Sequence, residues 1–416
     1  MRSRALRSLI ALVALLIAAG LDPGLTRAAA DSEPPSLTAT SAILIEASSG
    51  DVLFQRAADK RRPIASTTKL MTALLTVENT KLADRVAASD YIAAPIESKL
   101  SLRPGERLSV ADLLRGLMLE SANDAAVTLA ERVSGSRMSF VRQMNKRARE
   151  LELRNTHYSN PIGLDAPGNY SSARDLAHLA VKLRRHAFIR RLADRPAATL
   201  TTGDRPRTIR NRNLLLERDR YVNGLKTGHT GMAGYVLVGT RTRRGVTLVA
   251  VVLGTASPAA RDHDALALLQ WGAGRYERIH PVTAGSIVGT PVIEYRRGAT
   301  LALVTQGSVR RTVRTGAEIT FKDVGVPATV TGPVRRGQRF GYREVRADGR
   351  RIATVPIVSS ASVPVADLSE RTKDWFTQPL ALLAAVAVLG ATVLLASRMR
   401  RGPARRRARR SEPESA

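Results

Sequence analysis

Pro63-Ile64-Ala65-Ser66-Thr67-Thr68-Lys69-Leu70-Met71-Thr72 is the stretch on which the reading of this chain turns, and it holds the only Ser-x-x-Lys in the sequence. From Thr67 to Glu78 apolar residues recur at three- and four-residue intervals, so an amphipathic helix is expected, with Pro63 just ahead of its start. Ser66 then sits in the first turn and Lys69 one turn on, on the same face. A helix N-terminus favours negative charge, and a lysine kept neutral by burial can take the proton of a serine hydroxyl. Alone, the pattern reads more readily as an N-cap serine and a surface lysine than as a catalytic pair.

Working outward, Ser121-Ala122-Asn123 lies 55 residues after Ser66, at the start of or within a second amphipathic run from Val110 to Val133. Lys226-Thr227-Gly228 lies a further 105 residues on, in a strand-like segment. Ser41 to Gln55 reads as a hairpin, with Ala-Ile-Leu-Ile and Val-Leu-Phe flanking a Ser-Ser-Gly-Asp turn. Helices dominate to about Ala193. Strands follow around Gly224 to Thr227, Ala233 to Thr240 and Val246 to Leu253, and a last helix runs from about Ala259 to Tyr276. Strands early and late with helices between predict an α+β domain, one sheet covered by a helical cluster. Beyond His280 short runs such as Thr300 to Val304 and Arg351 to Val358 alternate with glycine turns, as in a small all-β domain.

Composition bounds the rest. The 416 residues carry a net charge of +29, and 44% are apolar, so the chain as a whole is not disordered. With no cysteine, a disulfide scaffold, a thiolate metal site and a cysteine nucleophile are excluded. Only 4% aromatics argues against stacking platforms for nucleic acid. The ends assign the charge elsewhere. Arg2, Arg4 and Arg7 precede an apolar run and Ala28, Ala29 and Ala30, the layout of a signal peptide. Leu380 to Ala396 is uninterrupted and apolar, long enough to span a membrane, and the arginines from Arg398 to Arg410 place the tail in the cytoplasm. The expected order is signal peptide 1–30, catalytic domain 38–276, all-β domain 280–366, linker 367–378, transmembrane helix 379–397 and basic tail 398–416.

Ser-x-x-Lys, Ser-x-Asn and Lys-Thr-Gly in this order form the set of penicillin-binding proteins and serine β-lactamases. The sequence resembles the D-alanyl-D-alanine carboxypeptidases among the low-molecular-mass penicillin-binding proteins. The likeness extends to Ser121-Ala122-Asn123-Asp124-Ala125, Gly163-Leu164-Asp165, Tyr170-Ser171-Ser172-Ala173-Arg174-Asp175 and Gly224-Leu225-Lys226-Thr227-Gly228-His229-Thr230, and more weakly to Val355-Pro356-Ile357-Val358. The resemblance implies the serine β-lactamase/DD-peptidase-like fold, peptidoglycan stem peptides as substrates, β-lactams as inhibitors and no cofactor or metal. It implies Ser66 as nucleophile, Lys69 as base, Ser121 as proton relay to the leaving amine and Asn123 as the residue ordering Lys69 and the substrate amide. Lys226 and Thr227 would hold the terminal carboxylate, and the backbone N–H groups of Ser66 and His229 the oxyanion. Arg261 reads either as a further carboxylate contact or as a solvated charge.

Competing chemistries are poorly represented. There is no His-Glu-x-x-His, no Gly-x-Ser-x-Gly and no Gly-x-x-x-x-Gly-Lys. A β-lactamase of class A adds a Glu-x-x-x-Asn after the second motif, whereas Glu150 and Glu152 are followed at that offset by Arg154 and Thr156. Slow release of bound penicillin is therefore expected. A non-catalytic membrane-bound penicillin sensor is the other alternative, and the 19 residues after Ser397 are short for a signalling domain.

Overall fold

Val246–Thr255 is apolar at almost every position, a composition suited to a strand buried on both faces. In the computed structural model, which describes residues 33–377 and 379–400, this strand is the centre of a five-stranded sheet. The order is Val52–Arg56, Ser41–Glu46, Val246–Thr255, Gly234–Arg243 and Val222–Thr230, with all neighbours antiparallel. Alternate residues serve different cores. Ile43, Ile45, Val236, Val238, Val249, Val251 and Leu253 pack with the helices that follow the first hairpin. Ala42, Leu44, Leu237, Leu248, Ala250 and Val252 pack with Ala265, Leu268 and Leu269 of the helix Pro258–Gly272. Helices thus cover both faces of the sheet, not one. Ser257 starts the second covering helix, its Oγ accepting from Ala260 N at 3.1 Å with Pro258 in the first turn.

Register carries one motif lysine into the helical side. Ile43 pairs with Val251, Val251 with Val238, and Val238 with Lys226, so Lys226 ends a cross-strand row whose other members belong to the helical core. The helix Lys69–Asn79 is buried from Lys69 through Thr76 and is therefore wrapped on all sides rather than amphipathic at that end.

Several elements depart from the sequence expectation. The run Val110 to Val133 is not one helix. An α-helix Val110–Arg115 widens into a π-turn Gly116–Glu120, Ser121 takes a left-handed conformation at φ 66°, and a new helix Asn123–Ser134 begins. One local and one tertiary bond hold the break, since Ala122 N donates to Gly116 O and Asn123 N to Ser98 O. A hairpin, Ala197–Leu200 with Arg207–Arg210, follows the helices unannounced, and buried Asp112 fastens its turn through Thr201 N and Thr202 N. The last helix of this region stops at Gly272, and Tyr276 opens a strand.

The chain divides into two compact units: the first runs to Ile279 and includes Arg311–Gly316, and the second takes the rest from His280. The second holds an antiparallel sheet in the order Ile287–Gly289, Leu303–Thr305, Arg350–Ser359, Arg339–Ala347 and Ile319–Val324, closed around Leu303, Val330, Val334, Ile357 and Val363. The stretch 367–378, read as a linker, is helical over Leu368–Thr377. A 22-residue helix follows, Pro379–Arg400, and the side chains of 374–382 lie outside the described residues. Among the described residues no helix is long and apolar enough to cross a membrane. The expected signal peptide 1–30 and the tail beyond Arg400 lie outside the described residues.

Leu248 and Leu253 lie on one strand and point into opposite cores. Leu248→Ala and Leu253→Ala are each expected to cost about 2–5 kcal/mol in denaturant unfolding, because each leaves a cavity in a close-packed interior.

Candidate active site

Ser66 lies in a 3₁₀ turn, Ala65–Thr68, that leads directly into the helix Lys69–Asn79. It is half-buried, whereas Ala65, Thr67, Thr68 and Lys69 are buried, so Ser66 is the residue of this turn that meets solvent. Ala65 is held at φ 45°, a left-handed conformation costly for a residue with a Cβ, and the strain sits immediately before the serine. Two glycines make the fit feasible. A Cβ at Gly163 would come within 2.0 Å of Ala65 O, and one at Gly228 within 2.8 Å of Ser66 N. The Lys226-bearing strand therefore passes against the backbone of the nucleophile turn.

Lys69 is fully buried, and its Nζ lies 2.9 Å from Ser66 Oγ and 2.5 Å from Ile162 O. Burial pushes its pKa well below the usual lysine value, and the nearby Lys226 pushes the same way; Glu97 and Asp124 oppose them. A neutral amine against a serine hydroxyl is a proton acceptor.

The helix break puts Ser121 and Asn123 on either side of Ala122, both buried. Ser121 Oγ is buried with no hydrogen-bond partner among the described residues, a state that costs about 1–3 kcal/mol unless a ligand group relieves it. Asn123 Nδ2 donates to Glu97 Oε2 at 2.6 Å. Asp124 accepts from the backbone of Leu100 and Leu102 and so pins the segment that carries Glu97.

Lys226 is also buried; among the described residues its Nζ donates to Thr227 O at 3.0 Å, and an ammonium has two further protons for another acceptor. Burial lowers its pKa to about 7, with the guanidinium groups of Arg212 and Arg261 acting in the same sense. Arg261 is not a solvated charge. It is buried, with its guanidinium on Asp262 at 2.7 Å. Thr227 is buried beside Lys226, whereas the His229 ring is exposed and stacks on Tyr235 at 4.0 Å between centroids. Asp165 holds the end of this strand by accepting from Thr230 Oγ1 and Met232 N.

Ser66 and Lys69 thus share one locus, and electrostatic coupling joins Lys226 to Lys69 and Arg261 to Lys226. Sequence reasoning missed Glu97, Arg212 and the Ile162 carbonyl. The first two belong to no motif, and the third is a backbone group that any side chain would supply. Among the described residues no group of three or more His, Asp and Glu side chains is placed to hold a metal ion.

The sequence profile of the family described as D-alanyl-D-alanine carboxypeptidase matches residues 28–257. The chain is 31% identical over 350 residues to the D-alanyl-D-alanine carboxypeptidase DacF of Bacillus subtilis, covering 81% of this chain and 90% of the relative. With DacD of Escherichia coli K12 it shares 33% over 362 residues, 83% of this chain and 92% of the relative. The structure of penicillin binding protein 5 from Haemophilus influenzae matches with a TM-score of 0.62 at 31% identity, over 80% of this chain and 99% of that one.

Gly228→Ala would bring a methyl group within 2.8 Å of Ser66 N and 2.9 Å of Val236 Cγ2. The variant is expected to stay folded at a cost of about 1–3 kcal/mol. Its Ser66 should react with a serine-directed acylating reagent about a hundredfold more slowly, read as adduct formation by mass spectrometry.

Proposed function

The chain belongs to the D-alanyl-D-alanine carboxypeptidase family, and from that premise we propose which residues carry its reaction. The enzyme is a serine-type D-Ala-D-Ala carboxypeptidase: it removes the terminal D-alanine of peptidoglycan stem peptides through an acyl-enzyme, and β-lactams acylate it. Ser66 is the nucleophile and neutral Lys69 takes its proton. The observation that carries this assignment is the 2.9 Å contact of the two groups, with burial and Lys226 holding Lys69 deprotonated. Attack on the carbonyl between the two D-alanines gives an oxyanion, which the backbone N–H groups of Ser66 and His229 receive. Ser121, whose buried hydroxyl lacks a partner, passes a proton to the departing amine. Asn123 orders Lys69 and the substrate amide. Water then attacks the acyl-Ser66 ester, releasing the shortened peptide and freeing the serine.

Lys226, with Thr227 beside it, holds the terminal carboxylate, and Arg261 adds positive potential from its buried pair with Asp262. A bound carboxylate favours the charged form of Lys226. With a free-enzyme value of about 7, binding above that pH requires uptake of a proton, so affinity falls as pH rises.

We further propose that residues 1–30 are an export signal and that 379–397 anchor the protein, with 398–416 in the cytoplasm and the catalytic unit outside. Supporting this, Leu383, Val386, Val388, Leu389, Val393, Leu394 and Leu395 of the last helix are all exposed, and the first-turn residues from Leu380 extend the same apolar run. Salt or carbonate washing of membranes from expressing cells should leave the full chain in the pellet; release into the wash would indicate a peripheral anchor.

On a stem pentapeptide, the purified enzyme is expected to release free D-alanine, and Ser66→Ala to lose both this release and labelling by fluorescent penicillin. KM should rise up to about tenfold per pH unit above 7. Lys226→Gln should raise KM throughout and flatten that dependence.

A further inference from the structure

Glu97 stands outside every motif, on the segment between Asp90 and Lys99, yet it is the carboxylate bonded to a catalytic amide. Its Oε2 accepts from Asn123 Nδ2 and from Tyr91 Oη, each at 2.6 Å, and its Oε1 accepts from Ala94 N at 3.0 Å. Asn123 N donates to Ser98 O on the same segment, so residue and loop are joined by main chain and side chain together. An asparagine amide is nearly symmetric in shape and turns over at little steric cost. A carboxylate only accepts, so it fixes which end faces it.

We propose that Glu97 is a positioning residue of the reaction: it holds the Asn123 amide with its nitrogen toward the loop, leaving Oδ1 and the second N–H for Lys69 and the substrate. The inference rests on the role given to Asn123 above. Glu97 is not a base that activates the deacylating water. Its two oxygens already take three donors. Burial alone would raise its pKa, but the bonds from Tyr91, Asn123 and Ala94 outweigh that and hold it below the usual value, so it is a weak proton acceptor.

Its charge has a second effect that a purely structural glutamate would not have. Around Lys69 stand Lys226 on the adjoining strand, Arg212, Asp124 on the helix after the break, and Glu97; only Glu97 and Asp124 favour the protonated form. Glu97 itself faces Lys69, Asn123 and Tyr91, whose ring carries the Arg137 guanidinium at 5.7 Å. Removing the Glu97 charge therefore makes Lys69 easier to deprotonate.

The test uses the full-length enzyme, with D-alanine release and penicillin acylation measured across pH and thermal unfolding as the folding control. Glu97→Ala is expected to slow acylation by about 10- to 100-fold, the scale of a displaced reacting group. Glu97→Gln, which keeps an acceptor oxygen for Asn123, should recover most of that rate. In both, the acid limb of the rate profile should move to lower pH. The loss in the double variant Glu97→Ala/Asn123→Ala should not exceed that of Asn123→Ala alone, because the two act through one group. Unchanged acylation and pH profile in Glu97→Ala, or losses that add in the double variant, would overturn the proposal. Should Glu97→Ala not fold, an unmoved acid limb in Glu97→Gln overturns it equally. D-alanine release persisting in Ser66→Ala would instead overturn the catalytic assignment on which it rests.

Discussion

Two lysine amines buried within reach of each other are the constraint on which the rest of this structure depends. Desolvation disfavours either charge, and the two repel, so they cannot both remain ammonium ions at neutral pH. The molecule resolves the conflict by making their surroundings unequal. Lys69 is enclosed within a helix buried from its first residue to Thr76, with a carbonyl and the serine hydroxyl as its contacts. Lys226 ends a row of the sheet and keeps two protons unassigned. One is placed to be a base and the other a receptor for an anion.

Such a division survives only if the walls do not relax. The sheet is fixed from both faces by independent cores, and the nucleophile helix is surrounded on all sides. Stiffness also allows local violations to persist: the left-handed Ala65 next to Ser66, the left-handed Ser121, and the Ser121 hydroxyl with no partner among the described residues each cost of order 1–3 kcal/mol. The cores offset these costs.

The parts legible in the sequence were those in which chemistry dictates the residue type. The proposed nucleophile, base and carboxylate-binding lysine have few chemical substitutes, so Ser66, Lys69 and Lys226 stand out by name and order. Strands with continuous apolar runs, such as Val246–Thr255, were equally plain. What stayed hidden depends on contacts between distant segments. The break at Ser121 has no proline to announce it and only Gly116 five residues ahead, because it is held in part by Ser98 O from another segment. The two-sided covering of the sheet was concealed because alternate apolar residues served two cores at once. The helix over Leu368–Thr377 stays hidden because its residues are mostly polar and charged.

The carboxylates near the site bear on how long an acyl group stays on Ser66. A carboxylate free to take a proton from water is one way to speed the hydrolysis of a penicilloyl ester. Glu97 is engaged by Tyr91, Asn123 and Ala94; Glu120 by Arg212; Asp124 by the backbone of Leu100 and Leu102; and Asp165 by Thr230 and Met232. Each is spent on holding a segment in place. Lys69 remains as the group beside the ester able to accept a proton, and it can serve a peptide-derived acyl group whose leaving D-alanine has departed. A β-lactam keeps its expelled amine tethered to the acyl group, because ring opening breaks the amide without releasing a fragment. We therefore propose that the enzyme hydrolyses its peptide-derived acyl group and releases penicillin slowly, as expected of a carboxypeptidase.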